Sequence, residues 1–152
     1  MAAKRDRPFS QFNFLVDIGN GTDSIEAGFQ EVSGLGMEIT VAEYRNGNDK
    51  RNAPMKITGT NKVPDVTLKR GVIGAEDLNE WISQVKQGLQ EESHRPVEIH
   101  LLSEDRQTTV VTWTLSNARP IKYTGPALNA KGTDVAIEEL VLSSEEIKQD
   151  FI

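Results

Sequence analysis

The two histidines are the first residues to consider for metal binding or acid–base catalysis, and the chain has no cysteine beside them. His94 and His100 are six residues apart. This spacing does not place them on the same face of a helix, and it does not place them in a loop with obvious carboxylate partners, so a metal site is not indicated. His100 is interpreted as an ordinary strand residue. The absence of cysteine excludes disulfides, thiolate nucleophiles and sulfur-ligated zinc, and it fits a protein made in a reducing cytoplasm.

Neighbouring glutamates could supply the two carboxylates of a glycosidase, and the sequence has three such pairs: Glu91 and Glu92, Glu138 and Glu139, Glu145 and Glu146. Adjacent residues of a strand point to opposite faces of a sheet, so such a pair cannot flank one glycosidic bond. We interpret the three pairs as solvated or as parts of interfaces.

Phosphate and calcium chemistry are not indicated either. Residues 69–74, KRGVIG, match neither a P-loop nor a dinucleotide-binding loop, and we interpret them as a turn. Residues 17–23, DIGNGTD, lack the ligand spacing of a calcium loop, and no G-x-S-x-G elbow occurs. The sequence therefore predicts a protein that is not an enzyme and that uses no cofactor and no metal.

Charge is unevenly distributed along the sequence. The net charge of -6 argues against a protein that binds nucleic acid through bulk positive charge. Residues 45–70 nevertheless carry a local charge of +5, whereas residues 133–152 carry -5. Two interpretations stay open: solvated loops of opposite sign, or copies of the protein that meet head to tail.

The length of 152 residues suits one domain, spanning residues 1–152 and large enough to bury a real core. With 37% hydrophobic and 26% charged residues, the protein is too apolar for disorder and too polar for a membrane protein. No apolar run approaches the roughly 20 residues of a membrane span. No membrane anchor is expected, and no secretory signal, because no apolar stretch follows the basic amino end.

Alternation of apolar and polar residues predicts strands along most of the sequence. A first hairpin is predicted from Phe12–Ile18 and Ile25–Phe29, and a second, with a five-residue polar loop, from Val97–Leu101 and Val111–Leu115. Further strands are predicted at residues 37–44, 55–58, 66–70 and 134–142, the last of these to be covered on both faces. Residues 46–54, NGNDKRNAP, are predicted to form an exposed loop.

One helix is predicted, over about residues 75–90. Five apolar residues form a single stripe along it: Leu78, Trp81, Ile82, Val85 and Leu89. Trp81 and Trp113 are interpreted as core residues. Strands, one helix and more strands indicate a mainly β fold, an antiparallel sandwich or barrel with a helix against one side or end.

Four segments in the same order resemble the phage tail tube proteins and their relatives in extracellular contractile injection systems. They are EVSGLGMEITVAEYRNG at 31–47, VTLKRGV at 66–72, the helix with Trp81, and SNARPIKYTGPALNAKGTDVAIEELVLSSEEI at 116–147. The resemblance implies the fold shared with the hemolysin-coregulated protein of type VI secretion: two packed antiparallel sheets forming a small barrel, with one flanking helix.

The resemblance also implies a structural function. Six subunits would close a ring, rings would stack head to tail into a rigid tube, and a contracting sheath would drive that tube through a target envelope. The implied partners are other copies of the protein, the sheath protein, baseplate and tube-capping proteins, and a tape measure protein or cargo in the lumen. The protein would be made in the bacterial cytoplasm and assembled into a phage tail or a released extracellular injection particle.

The family carries stacking contacts partly on the loop after the EYRNG segment. Together with the charge distribution, this leads to a hypothetical set of residues joining one ring to the next: Arg45, Asn46, Asn48, Asp49, Lys50, Arg51, Glu145 and Glu146. Two alternatives stay open. One is a minor tube-like protein that joins the tube to the baseplate, and the other is a small soluble ligand-binding barrel.

Overall fold

A computed structural model describes residues 6–19, 28–74 and 76–151. The protein is mainly β, with nine strands and one helix of more than a single turn among these residues. In sequence order the elements are β1 (Phe14–Asp17), β2 (Glu31–Ser33), β3 (Glu38–Tyr44), β4 (Met55–Lys62), β5 (Val66–Gly71), α1 (Asp77–Lys86), α2 (Gln90–Ser93), β6 (Arg95–Leu102), β7 (Thr109–Thr124), β8 (Ile137–Ser143) and β9 (Glu146–Phe151).

The 16-residue strand β7 belongs to both main sheets. Its first half lies between β6 and β9, and its second half pairs with β8. The ladders run in the order β1-β6-β7-β8-β5-β2, with β9 beside β7, and every pairing is antiparallel. The predicted architecture of two antiparallel sheets and one flanking helix is confirmed.

The core lies between these sheets and is built by alternate residues of their strands. The predicted hairpin of β6 and β7 is confirmed, with Val97 opposite Leu115 and Ile99 opposite Trp113. Val97, Ile99 and Leu115 are buried, and Trp113 packs against the core while partly exposed. The interpretation of Trp113 as a core residue therefore holds in part, because the side chain lies at the border of the core.

The helix α1 is shorter than predicted. It spans Asp77–Lys86 instead of residues 75–90, and Gly88 follows it with a φ of 81°. A glycine in that conformation is a common helix stop. Leu78 and Trp81 are buried against the sheets, and the Trp81 Nε1 donates a hydrogen bond to the Ser93 carbonyl oxygen at 2.6 Å. Leu89 lies beyond the helix and is 39% exposed, so it is not part of the stripe.

Several strand boundaries differ from the prediction. The strand at Phe12–Ile18 is shortened to β1, which pairs with β6, and Phe12 lies before it and is exposed. The predicted partner residues Ile25 and Ala27 lie outside the described residues. β7 extends to Thr124, through the SNARPIKYT segment that the sequence did not assign to a strand. The strand predicted at 134–142 begins at Ile137, and one further strand, β9, follows it.

Candidate assembly surfaces

β3 and β4 form a hairpin that is not part of the main sheets, and we call residues 38–62 the arm. These two strands pair only with each other in the described structure. Every residue of both strands is exposed. Large hydrophobic residues with half or more of their surface open to solvent are nevertheless concentrated here: Ile39, Val41, Tyr44, Met55, Ile57 and, just before the arm, Met37. The predicted strand at 55–58 is confirmed, and it continues to Lys62.

The outer half of the arm has one apolar face. Tyr44 is opposite Met55, and Ala42 is opposite Ile57, so these four side groups lie on the same side of the hairpin. The next pair along the ladder, Glu43 opposite Lys56, points to the other side. The arm therefore presents an uncovered apolar surface on one face and a charged pair on the other.

A bulge fixes the register of the arm. The pairing shifts between Ile39 and Val41, where Gly59 lies beside Thr40. A Cβ at Gly59 would be 2.7 Å from the Thr40 Oγ1, so only glycine fits without displacement. The Thr40 Oγ1 also donates to the Thr60 carbonyl oxygen at 3.1 Å.

The tip of the arm, residues 45–54, contains six of the residues predicted for ring stacking. The Arg45 side chain is hydrogen-bonded to the backbone of the tip. Its Nε donates to the Arg51 carbonyl oxygen at 2.8 Å and its Nη2 to the Asp49 carbonyl oxygen at 3.0 Å. Asp49 is half-buried, and its Oδ1 accepts the Arg51 N–H at 3.0 Å. The Asp49 N–H donates to the Asn46 carbonyl oxygen at 3.1 Å, closing a turn. All six residues except Asp49 are exposed, including Arg45.

The other two predicted stacking residues lie at the turn between β8 and β9, and we call Glu145 and Glu146 the acidic turn. Both are exposed. A carboxylate oxygen of Glu145 accepts a 2.8 Å hydrogen bond from the Nδ2 of Asn117, and Glu146 begins β9 opposite Ser116. Within the part of the protein that the structure describes, no hydrogen bond or ion pair joins the tip of the arm to the acidic turn.

Arg70 is not part of the exposed positive region predicted over residues 45–70, because its side chain is only 1% exposed. Its guanidinium holds both oxygens of Asp77 at 2.7 and 3.1 Å, and its Nε donates to the Glu138 Oε1 at 2.9 Å. The Tyr123 hydroxyl donates to the other oxygen of Glu138 at 2.7 Å. The ring of Phe29 lies 5.3 Å from the guanidinium carbon. One buried cation on β5 thus binds the first turn of α1 and β8, and Glu138 connects the cluster to β7 through Tyr123.

The buried cluster shifts two pKa values. Burial alone would lower the pKa of Arg70, but the hydrogen bonds to Asp77 and Glu138 hold it above the ordinary value. The pKa of Tyr123 is raised, first by its hydrogen bond to Glu138 and then by burial. The interpretation of Glu138 as a solvated or interfacial residue is wrong, because Glu138 is 5% exposed and its carboxylate is paired. Sequence reasoning also missed Arg70, although it has the same parity in β5 as the buried Val66 and Leu68.

An apolar groove of about 630 Å³ opens beside the amino-terminal segment. Its lining includes Phe12, Phe14, Leu35 and Trp113. Glu31 is the one titratable residue in its described lining, and it pairs with Lys69 at 3.6 Å. The groove therefore offers an apolar contact surface and no pair of groups for acid–base catalysis.

The two histidines do not belong to a metal site. Within the described ranges, no group of three or more histidine, aspartate or glutamate residues could hold a metal ion. His100 lies in β6 as predicted, with its Nδ1 3.1 Å from the Thr112 hydroxyl, and His94 lies 3.4 Å from the Arg119 guanidinium. No helix in these ranges is long and apolar enough to cross a membrane.

Comparisons with known proteins agree with this architecture. Residues 10–148 match the family described as T4-like virus tail tube protein gp19. No curated protein sequence matches significantly. Among solved structures, a subunit of the anti-feeding prophage cap, which terminates the tube, superposes with a TM-score of 0.84 at 25% identity, covering 99% of this protein and 95% of that one.

Two other solved structures are similar to this protein, one to a high degree and one in fold alone. A subunit of the sheath–tube complex of an extracellular contractile injection system, PVC, in its extended state gives a TM-score of 0.83 at 26% identity, covering 97% of this protein and 94% of that one. Hcp1 from Flavobacterium johnsoniae shares the fold alone, with a TM-score of 0.55 at 13% identity over 91% and 94%. The family match covers most of the chain, and the chain therefore belongs to the family described as T4-like virus tail tube protein gp19.

Proposed function

We propose that this protein is the repeated subunit of the rigid inner tube of a contractile injection machine or phage tail. Six copies close a ring, and rings stack head to tail. The observation that carries the proposal is the arm, whose strands are exposed at every residue although they bear an apolar face. Exposed apolar clusters of this kind mark interaction sites, because in a protein that works alone they promote aggregation.

The strand edges support ring closure. Among the described residues β1 pairs only with β6, and β9 pairs only with β7, so each strand leaves one edge unpaired. Unpaired edges readily join strands of another subunit, and a closed ring covers them. Identical subunits related by rotation make heterologous contacts, and such contacts close into rings when the rotation permits.

Head-to-tail stacking would use the tip of the arm and the acidic turn. Lys50 and Arg51 are exposed basic groups at the tip, and Glu145 and Glu146 are exposed acids elsewhere on the subunit. Asn48 completes the tip, and Arg45, Asn46 and Asp49 hold its shape through hydrogen bonds within it. Exposed ion pairs contribute only about 0.2–1 kcal/mol each, but a six-subunit ring repeats each contact around its circumference.

The remaining assignments follow from the same assembly. The protein is one tail tube domain over residues 1–152, with a structural and non-enzymatic role. Its partners are other copies of itself, the sheath, baseplate and capping proteins, and a tape measure protein or cargo in the lumen. It is made in the bacterial cytoplasm and assembled into a phage tail or a released injection particle.

A second candidate is a minor tube-like protein at one end of the tube. Subunits from a tube-terminating cap and from an anti-feeding prophage baseplate match with TM-scores of 0.84 and 0.79, close to the 0.83 of the sheath–tube complex. An end protein forms rings but does not continue to polymerise. The two roles therefore differ in whether the pure protein grows into tubes.

Native mass spectrometry and negative-stain microscopy of the purified full-length protein test the proposal. We expect closed rings of six copies of the 16.8 kDa subunit, and hollow tubes at higher concentration. Rings that never extend would favour the end protein. Monomers at every concentration would contradict ring closure, and a monomer with a bound small molecule would favour the ligand-binding barrel.

A further inference from the structure

Asn46 and Gly47 form an asparagine–glycine step at the tip of the arm, and it is the only such step in the described ranges. In this step the backbone nitrogen of the glycine can attack the amide carbon of the asparagine side group. Glycine favours the attack because it has no Cβ to obstruct the ring and because its backbone dihedrals are the least restricted. Asparagine is accordingly among the residues that limit the lifetime of proteins at high temperature.

The surroundings of the step leave room for this reaction. Asn46 is exposed, and a Cβ added to Gly47 would meet no atom within 4 Å. Neither residue lies within a strand, because β3 ends at Tyr44 and β4 begins at Met55. The five-membered ring can therefore form without breaking the ladder of the arm.

Tyr44 supplies a second, independent feature. Its hydroxyl donates a hydrogen bond to the Oδ1 of Asn46, the atom on which negative charge develops when Gly47 attacks. A donor aimed at a developing oxyanion lowers the barrier to its formation. The hydroxyl is held in place because Tyr44 is the last residue of β3, opposite Met55.

We infer that Asn46 is a site of spontaneous deamidation that Tyr44 promotes. The Gly47 nitrogen forms a bond to the Asn46 Cγ and loses its proton, the bond between Cγ and Nδ2 breaks, and ammonia leaves, giving a cyclic imide. Water then opens the imide at either carbonyl. One product is aspartate and the other is isoaspartate, in which the backbone runs through the former side group. No electron transfer is involved.

The modification changes both the charge and the shape of the tip. A neutral amide becomes a carboxylate next to Arg45 in sequence, which lowers the local positive charge by one. The isoaspartate product lengthens the backbone within the turn that the Asp49 N–H closes on the Asn46 carbonyl oxygen. If the tip stacks rings, as proposed above, aged subunits stack less well than fresh ones. The chemistry itself does not depend on that function.

Peptide mapping by mass spectrometry tests the inference on the purified full-length protein, incubated at mildly alkaline pH and sampled over time. Asn48 and Asn52 serve as internal references, because they share the tip but precede Asp49 and Ala53. We expect the mass change from amide to acid at Asn46 to accumulate faster than at either reference. An Asn46 rate no higher than those of Asn48 and Asn52 would overturn the inference.

Two variants separate the contributions. Gly47→Ala has room for its Cβ, and it should lower the Asn46 rate towards that of Asn52, which already precedes an alanine, leaving only the excess that Tyr44 contributes. Tyr44→Phe should slow the reaction by roughly two- to tenfold, the equivalent of one neutral hydrogen bond. An unchanged rate in Tyr44→Phe would refute the role of Tyr44. The readout is a mass and not an assembly, so it stands apart from any failure of the proposed stacking.

Discussion

Replacing Arg70 by methionine is expected to destabilise the subunit severely. The change removes a guanidinium that is 1% exposed and leaves Asp77 and Glu138, whose side groups are 9% and 6% exposed, without their shared cation. Removing one partner of a buried ion pair typically costs about 3–5 kcal/mol, because the remaining charge stays buried and uncompensated. Small domains have a total stability of only about 5–15 kcal/mol. Arg70→Met therefore removes a large part of the free energy of unfolding.

The adjacent residue provides a matched control. Lys69 lies in the same strand, is 38% exposed, and pairs with Glu31 at 3.6 Å on the surface. An exposed pair of this kind contributes about 0–1 kcal/mol. Lys69→Met should therefore shift the urea midpoint slightly, whereas Arg70→Met should shift it several times as far. Both variants remove one positive charge from β5, so the comparison isolates burial and pairing.

Urea unfolding followed by tryptophan fluorescence measures both effects. Two further variants keep the test informative if Arg70→Met does not fold. Arg70→Lys keeps the charge but loses the two-point contact with Asp77, and it should lie between wild type and Arg70→Met. Arg70→Met combined with Glu138→Gln removes one of the uncompensated charges and should recover part of the loss. Equal midpoints for Arg70→Met and Lys69→Met would refute the reasoning.

Three further predictions follow from the described contacts. Trp81→Ala should lower the free energy of unfolding by roughly 3–5 kcal/mol, because the indole is fully buried and donates to Ser93; wild-type thermal stability in this variant would contradict its position in the core. Reversing Lys50 and Arg51 to glutamate should leave rings intact in the microscope but shorten or abolish tubes, and normal polymerisation at low ionic strength would assign these charges to the solvated surface. The pKa of Tyr123 is raised above its ordinary value of 10.0, so its contribution to stability is complete below that pH and is lost as the pH rises through the folded pKa. Tyr123→Phe should therefore lose less stability than wild type above about pH 10 in thermal melts, and identical pH profiles would count against the Glu138 contact.

The parts of the fold that were predicted from sequence have strong local patterns. The hairpin of β6 and β7 combines strict alternation with a polar loop, and it is observed as expected; the structure adds its register, with Val97 opposite Leu115. β9 was missed because EIKQDF has only two apolar residues, Ile147 and Phe151, of which only Ile147 is buried. It forms a strand because its backbone pairs with β7. Such pairing depends on the tertiary structure, and the strand propensity of the residues alone does not predict it.

The sequence predicted an exposed polar loop at the tip of the arm, but it did not predict how the neighbouring strands are arranged. The exposed loop after residue 45 was predicted from its polar, turn-rich sequence. That the residues before and after it form one free arm with an apolar face depends on Tyr44 pairing with Met55. The alternation of apolar and polar residues predicted strands here, but it did not indicate whether other parts of the subunit would cover their apolar side chains. Similarly, burial of Arg70 and Glu138 depends on a partner 68 residues away, and no local pattern reports such a pairing.

The central position of β8 in the sheet has a consequence for synthesis. β8 is the strand that joins β5 to β7, so without it the main sheet falls into two separate pieces, β1-β6-β7 and β2-β5. β8 spans Ile137–Ser143 and is therefore synthesised after both strands with which it pairs, β5 and β7. It also carries Glu138, which the buried Arg70 requires. A polypeptide that ends before Ile137 lacks the strand that joins the two pieces, and we expect it to leave both the sheet and its core incomplete.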